Sequence, residues 1–400
     1  MAKANAIIGQ SGGPTSVINS SLAGVVEAAK AAEGFGKVLG MRFGIEGFMA
    51  ENIIDLSAQP APIIRGLKTT PSSALGSCRR KLKDEDLPRV FEVIRKNDIR
   101  YFFLIGGNDT MDTIHRVSAY AAKQGFELIG VGIPKTVDND LYGTDHTPGF
   151  PSAARYVTLS VLQAGVLAHD MRRVDQFTVF QCIGRKAGWL PAAAALAKTD
   201  PSDAPHILLL PERPFEKDRF LKAVKEAYDQ YGFISVVCGE GIADSSGTPV
   251  SASQVTDKFN NVEFGAMGGT SAAVVLHRMI SNEFGFRGEF QITESLPMCA
   301  ADRGVALDFR EAYLCGKTAV KLASKGTSGI MVTLVRKPGK AYGVTTGTAP
   351  LSEVAERARP MPDHFISADG YGVTRAFLDY ARPLVGPLPA YARLACKKLY

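Results

Sequence analysis

Two hydrophobic periods alternate along this chain. Residues 4–8 form a short, mostly apolar run that predicts a buried strand. The loop Gly9-Gln10-Ser11-Gly12-Gly13-Pro14 breaks it, and Val17, Ile18, Leu22, Val25, Val26 and Ala29 then recur at helical spacing. The same alternation returns downstream. A helix with acids in its first turn opens near residues 84–86 and presents Leu87, Val90, Phe91 and Ile94 on one face, and a strand over 101–105 stops at Gly106 and Gly107. Met111, Ile114, Val117 and Ala121 predict a helix ending at Gly125, and residues 127–133 predict a strand ending at Pro134.

Past Gly149 the pattern continues with a long helix over 152–170, strands over 176–182, 206–210 and 233–238, and helices starting at Trp189 and spanning 220–231. Strands alternating with helices predict an α/β fold whose mostly parallel sheets are covered on both faces, with a second α/β unit after the first. Residues 241–261, rich in Ser, Thr and Asp, are expected to form a loop crossing between the units. Prolines at 360–362 and 383–389 predict an irregular C-terminal region.

Composition narrows the class without naming a reaction. Four hundred residues, 46% of them hydrophobic, can bury cores for about two or three structural units. The net charge of +6 is spread out, and the basic spots Arg79-Arg80-Lys81 and Arg172-Arg173 are too short for a nucleic-acid tail. A solvated surface is the plain reading of such pairs, and a small polyanionic substrate is the functional one. Six cysteines and six histidines lack ligand spacing, so reduced thiols and no zinc are expected. Neither a signal peptide nor a spanning segment fits the sequence, and a cytoplasmic protein with no membrane or nucleic-acid partner is expected.

Three predicted strand ends, at Gly9, Gly106 and Pro134, carry glycine-rich or polar motifs. A purely structural sheet has little reason to decorate one edge three times. Glycines between a strand and a helix let backbone amides approach an anion at the helix N-terminus, although Ser11-Gly12-Gly13 alone is equally a tight turn. In Asp138-Asn139-Asp140, one carboxylate can act as base toward a hydroxyl while the other helps hold Mg²⁺ or orients the acceptor; an Asx-turn cluster is the plain alternative. Lys135 is a compact cation suited to a phosphate, or else a solvated loop lysine. Neither common nucleotide fingerprint is present. Gly316-Lys317-Thr318 imitates the end of a P-loop, but Glu311 stands where the first glycine is required and the stretch is predicted to lie mid-helix.

Taken together, Ser11-Gly12-Gly13 with Asn19, Leu75-Gly76-Ser77 with Arg79, Gly106-Gly107-Asn108-Asp109-Thr110, Pro134-Lys135-Thr136-Val137-Asp138-Asn139-Asp140 and Gly184-Arg185 resemble the phosphofructokinase family in content and order. The resemblance covers about the first 240 residues. It implies two Rossmann-like lobes with the active site in the cleft between them: residues 1–145 for the donor, 146–290 for the acceptor, and 291–400 crossing back to complete both. It also implies Asp138 as general base, Asp140 as its support, Thr136 as an acceptor contact, and Arg79 as a bridge between donor and acceptor phosphates, with Lys135 in the same catalytic set. Gly12, Gly13, Gly107, Asn108, Asp109 and Lys135 would line the donor site, Asn108 and Asp109 also holding Mg²⁺. Glu240 and the turn Ile183-Gly184-Arg185, with isoleucine in place of the family's methionine, would bind the acceptor. A homodimer or homotetramer is implied as well.

Asp109 and Lys135 stand where ATP-using members of that family typically carry glycine. A carboxylate at the first position repels and crowds a nucleotide α-phosphate, while the lysine neutralises a terminal phosphate, so pyrophosphate is the expected donor. The expected reaction is reversible, Mg²⁺-dependent phosphoryl transfer from pyrophosphate to the 1-hydroxyl of fructose 6-phosphate, giving fructose 1,6-bisphosphate. The acceptor half departs from the family. Gln176 replaces an arginine, and Phe290-Gln291-Ile292-Thr293-Glu294 has none in register, although Arg287 and Arg303 are close in sequence. Arg172, Arg173, Arg287 or a second subunit would have to replace charge-assisted bonds worth about 1.5–3 kcal/mol each. Failing that, the acceptor is a different sugar, sugar phosphate or polyol. Two further alternatives are ATP as donor and a catalytically silent regulatory paralogue.

Overall fold

The computed structural model describes residues 3–251, 270–339, 341–392 and 394. The first unit contains β1 (Ala4–Gln10), α1 (Ile18–Ala31), β2 (Phe35–Met41), α2 (Gly44–Met49), β3 (Ile53–Asp55), α3 (Ala61–Leu67), α4 (Leu87–Lys96), β4 (Ile99–Gly106), α5 (Asn108–Lys123) and β5 (Ile129–Pro134). The second contains α6 (Phe150–Met171), β6 (Phe177–Cys182), α7 (Trp189–Ala193), β7 (Ile207–Leu209), α8 (Lys217–Tyr231), β8 (Ile234–Gly239), α9 (Ala272–Phe284) and β9 (Gly288–Ile292). The chain then forms α10 (Ala306–Ala323), β10 (Ile330–Arg336), β11 (Val344–Pro350), α11 (Leu351–Glu356) and α12 (Arg375–Val385).

Two sheets result. One has the order β11-β10-β5-β4-β1-β2-β3 and the other β7-β8-β6-β9, and only the edge strands β3 and β11 run antiparallel to their neighbours. Strand periodicity divides the side chains between two cores: Ala6, Ile8, Phe103 and Ile105 pack with residues of α1 and α10, whereas Ile7, Phe102 and Leu104 pack with α4 and α5. In the smaller sheet Phe180, Cys182 and Val237 pack with α6, α7 and α12, while Val179, Val236 and Cys238 pack with α8 and α9.

The region after residue 291 contributes to both units. It supplies β10 and β11 to the larger sheet and α12 to the core beside α6, and only the irregularity expected around residues 383–389 is partly replaced by helix, with Pro383 in the last turn of α12. Gly316-Lys317-Thr318 lies inside α10, where a Cβ on Gly316 would sit 2.1 Å from the Ser21 carbonyl of α1, so this glycine serves a close helix crossing. Of the predicted 241–261 loop, residues 252–261 lie outside the described residues, as does Cys396. Cys78, Cys182, Cys238, Cys299 and Cys315 are free thiols.

Candidate active site

Register aligns the carboxyl ends of the central strands: Gln10 pairs with Ile105, Gly106 with Pro134, Cys182 with Gly239 and Gln181 with Ile292. The segments leaving β1, β4, β5, β6, β8 and β9 therefore meet around one cavity of about 450 Å³, where an open parallel sheet places its ligands. Gly12, Gly13, Arg79, Gly107, Asn108 and Asp109 line one half. Thr136, Asp138 and Asp140 follow Lys135 along the wall, and Ile183, Gly184, Arg185 and Glu240 line the other half. The site residues expected from the sequence all converge here.

Local geometry explains the glycines. Gly12 has φ of 74°, its N–H donates to the Cys78 carbonyl at 3.1 Å, and its own carbonyl accepts from Ser77 Oγ at 2.6 Å, which fastens the loop carrying Arg79 to the glycine turn. Asn19 holds the stretch before it: its Nδ2 donates to the Thr70 carbonyl, and its Oδ1 accepts from Gln10 and from the Ala74 N–H. Gly106 packs under Thr110, leaving Gly107 to open α5 toward the cavity, where a sixteen-residue helix offers its N-terminal dipole.

Lys135 is buried, and its Nζ donates to the Gly13 carbonyl at 2.6 Å. Burial pushes its pKa down to about 8, against the upward pull of Asp138 and Asp140. Asp138 is shifted the opposite way. Burial, with Asp140 and Glu240 close by, pushes its pKa up to about 7, although Lys135 and Arg185 oppose the shift. Burial raises the carboxyl of Asp140 too, while Arg359, Lys135 and Thr136 hold it down. At the cavity mouth Asp109 remains mostly exposed and pairs with Lys81 at 3.4 Å.

In the second half, Gly184 has φ of 122°, and a Cβ there would lie 3.8 Å from Asp138 Oδ1, so the turn approaches the carboxylate closely. Glu240 Oε1 accepts from the Gly184 N–H at 3.3 Å and lies 3.9 Å from Arg185 Nε. Burial raises the Glu240 carboxyl, and Glu294 adds to the rise. Lys81, Lys186, Glu294 and Met298 also line the cavity and were not singled out by motif. Lys81 and Lys186 adjoin motif residues, whereas Glu294 registers in the sequence only as the absence of an arginine.

The sequence model of the phosphofructokinase family matches residues 5–291. The chain belongs to the phosphofructokinase family. It is 39% identical to a pyrophosphate–fructose 6-phosphate 1-phosphotransferase of Methylococcus capsulatus, over 98% of this chain and 96% of that one. It is 30% identical to a sulfofructose kinase of Alkalicoccus urumqiensis, over 90% of this chain and 91% of the relative. A crystal structure of pyrophosphate-dependent phosphofructokinase from Nitrosospira multiformis is 35% identical, with a TM-score of 0.87 over 97% of this chain and 94% of that one. Two α/β lobes with mostly parallel sheets are thus the fold of this phosphofructokinase.

Two expectations for a phosphofructokinase meet physical limits here. Arg172, Arg173 and Arg287 do not line the cavity. They precede β6 and β9, and the length of a six-residue strand, about 20 Å, separates the two edges of the sheet. Arg287 pairs with Asp175 at 2.9 Å, its N–H donates to Gln176 Oε1 at 3.1 Å, and Arg303 donates to Ser160. The metal expectation meets a lean donor set. Among the described residues no three His, Cys, Asp or Glu side chains cluster to hold an ion. Asn108 Nδ2 donates to the carbonyls of Val354 and Arg357, which directs its amide oxygen elsewhere. With the Asp109 carboxylate beside it, this set fits Mg²⁺, which takes one or two carboxylates and draws its remaining ligands from substrate phosphate and water.

Proposed function

We propose that this phosphofructokinase catalyses reversible phosphoryl transfer between pyrophosphate and the 1-hydroxyl of fructose 6-phosphate. Lys135 carries the donor half of this reading: a buried ammonium held against the glycine loop matches a compact terminal phosphate and fills space a nucleotide would need. Asp109 at the mouth disfavours an α-phosphate. The names of the relatives from Methylococcus and Nitrosospira point the same way.

Asp138 is assigned as general base, supported by Asp140. The acceptor oxygen bonds to the terminal phosphorus as the bridging P–O bond breaks, orthophosphate leaves, and the hydroxyl proton passes to Asp138. A carboxyl with a pKa of about 7 can take that proton near neutrality. Arg79 and Lys135 stabilise charge on the transferring group, while Thr136, Ile183, Gly184, Arg185 and Glu240 orient the acceptor. Asn108 and Asp109 would hold Mg²⁺ with the donor phosphates, where the ion supplies charge neutralisation.

A second reading keeps the donor and changes the acceptor to another sugar or sugar derivative. It is favoured by Glu294 beside Glu240, by the position of Arg172, Arg173 and Arg287 outside the cavity lining, and by the sulfofructose kinase relative. Under the first reading a second copy of the chain would have to supply the phosphate contacts. Phosphorus NMR of protein, Mg²⁺, pyrophosphate and fructose 6-phosphate tests the choice. A new phosphomonoester with equimolar orthophosphate is expected, and turnover of pyrophosphate only with other acceptors overturns the first reading.

A further inference from the structure

The C-terminal segment beyond the family match places a strut behind the carboxylate pair. The Arg359 guanidinium donates to the Asn139 carbonyl from Nη2 at 2.7 Å and from Nε at 3.2 Å. Its Nη1 donates to the carbonyls of Thr144 and Asp145 at 2.7 and 2.6 Å. The Arg359 N–H donates to the Asp140 carbonyl at 2.7 Å, and Leu141 bridges Ala358. Asn139 sits between the two carboxylates with φ of 56°, a left-handed conformation that needs support from its surroundings.

The same arginine reaches the acceptor side. Its guanidinium stacks on the Trp189 ring at 4.7 Å, and Trp189 Nε1 donates to the Arg359 carbonyl at 3.4 Å. Two residues on, the Met361 N–H shares Glu212 Oε1 with the Gly188 N–H, at 3.1 and 2.8 Å. Residues 358–361 therefore join the loop bearing Asp138 to the helix that follows Gly184-Arg185.

We infer that Arg359 is a positioning residue for phosphoryl transfer, fixing the Asp138–Asp140 loop relative to the Gly184-Arg185 turn from outside the cavity. This rests on Asp138 being the base. The charged groups acting on the pair are Lys135, Arg185, Glu240 and Arg359 itself, so removing Arg359 takes away one of the charges that oppose the upward shift of the Asp140 carboxyl.

The test uses the full-length chain as R359M and R359K, with D138N and the surface variant R375M alongside. Steady-state kinetics with pyrophosphate and the acceptor are measured from pH 6 to 9, and folded fraction is followed by circular dichroism. R359M is expected to lose tenfold or more in kcat with less than about threefold change in acceptor KM, and to move the acid limb of its pH profile upward. R359K, which keeps the charge without the planar fork, is expected to keep the limb and still lose kcat. R375M matches the parent. Parental kcat in folded R359M overturns the inference, as does a loss that only tracks folded fraction with an unmoved pH profile in both variants. Retained activity in D138N overturns the assignment of the base instead, which separates the two failures.

Discussion

Lys135 Nζ donates to the Gly13 carbonyl at 2.6 Å, so the protein itself holds this cation against the glycine loop. The bond orients a buried charge that otherwise has two carboxylates to follow. Replacing Lys135 with methionine removes one or two charge-assisted bonds to the donor, about 1.5–3 kcal/mol each. Steady-state kinetics of K135M are expected to show kcat/KM for pyrophosphate at least about tenfold down, with the acceptor KM little changed. An unaltered value would remove Lys135 from the donor site.

The opposed shifts of Asp138 and Lys135 set a narrow pH window. With Asp138 as the proposed base and Lys135 as the proposed donor cation, activity is expected to require the carboxylate ionised, above about 7, and the ammonium charged, below about 8. A bell-shaped kcat/KM profile is expected, its acid limb belonging to the Asp138–Asp140 pair rather than to one residue. In K135M the alkaline limb should disappear. A parental profile that is flat between pH 6 and 9 contradicts these protonation states.

Asp138→Asn separates chemistry from stability. Its kcat is expected to fall by about 10²–10⁴. Folded Asp138 holds its proton up to about pH 7, whereas the unfolded chain releases it near 3.8, so parental stability declines as pH rises between those values. D138N escapes that decline. Thermal melts at pH 5 and pH 8 should show the variant gaining on the parent at the higher pH, and a variant that loses ground to the parent as pH rises contradicts the buried, raised carboxyl.

Much of the site was legible because a parallel sheet gathers the carboxyl ends of its strands at one edge. Ser11-Gly12-Gly13, Gly107-Asn108-Asp109 and Lys135 through Asp140 each follow an apolar run, so local pattern placed them together. Arg359 left no such trace. It lies 220 residues from Asn139 and outside any motif, and its role depends on a fold-level crossing. The β11 sequence, Val-Thr-Thr-Gly-Thr-Ala-Pro, is largely polar because an edge strand is only partly covered, and it carried no strand period. Arg172 and Arg287 precede β6 and β9, so the parallel order that gathers the carboxyl ends at the cavity puts these arginines at the opposite ends of the strands.

Behind the Asp138 loop, His146 is fully buried with Nδ1 2.9 Å from Asp145 and Nε2 2.8 Å from Glu311, while Arg336 donates to both oxygens of Asp145 and Tyr342 donates to Oε1 of Glu311. Its pKa is raised despite burial, through these two carboxylates. The stabilisation is complete below about pH 6.5 and is lost as pH climbs through the raised folded value. Urea unfolding of H146F at pH 6 is expected to show a loss of about 3–5 kcal/mol, because two carboxylates are left without their partner. A loss that does not shrink at alkaline pH contradicts a charged imidazolium.

Gly316→Ala tests the reading of Gly316-Lys317-Thr318 as a helix crossing. The added methyl meets the Ser21 backbone, and overpacking of this kind costs about 1–3 kcal/mol. A lower melting temperature with unchanged KM for the donor is expected. A donor-specific KM effect with parental stability would return this stretch to the ligand site.

Asp109 and Lys135 are the residues proposed to select pyrophosphate over ATP. The most direct measurement is kcat/KM for each donor, at fixed Mg²⁺ and acceptor, in the parent and in a D109G/K135G double variant. The parent is expected to prefer pyrophosphate by more than about a hundredfold, which is about 2.7 kcal/mol of discrimination, and the double variant to lose most of that preference. A parent that turns over ATP as well as pyrophosphate, or a double variant whose preference is unchanged, contradicts that role.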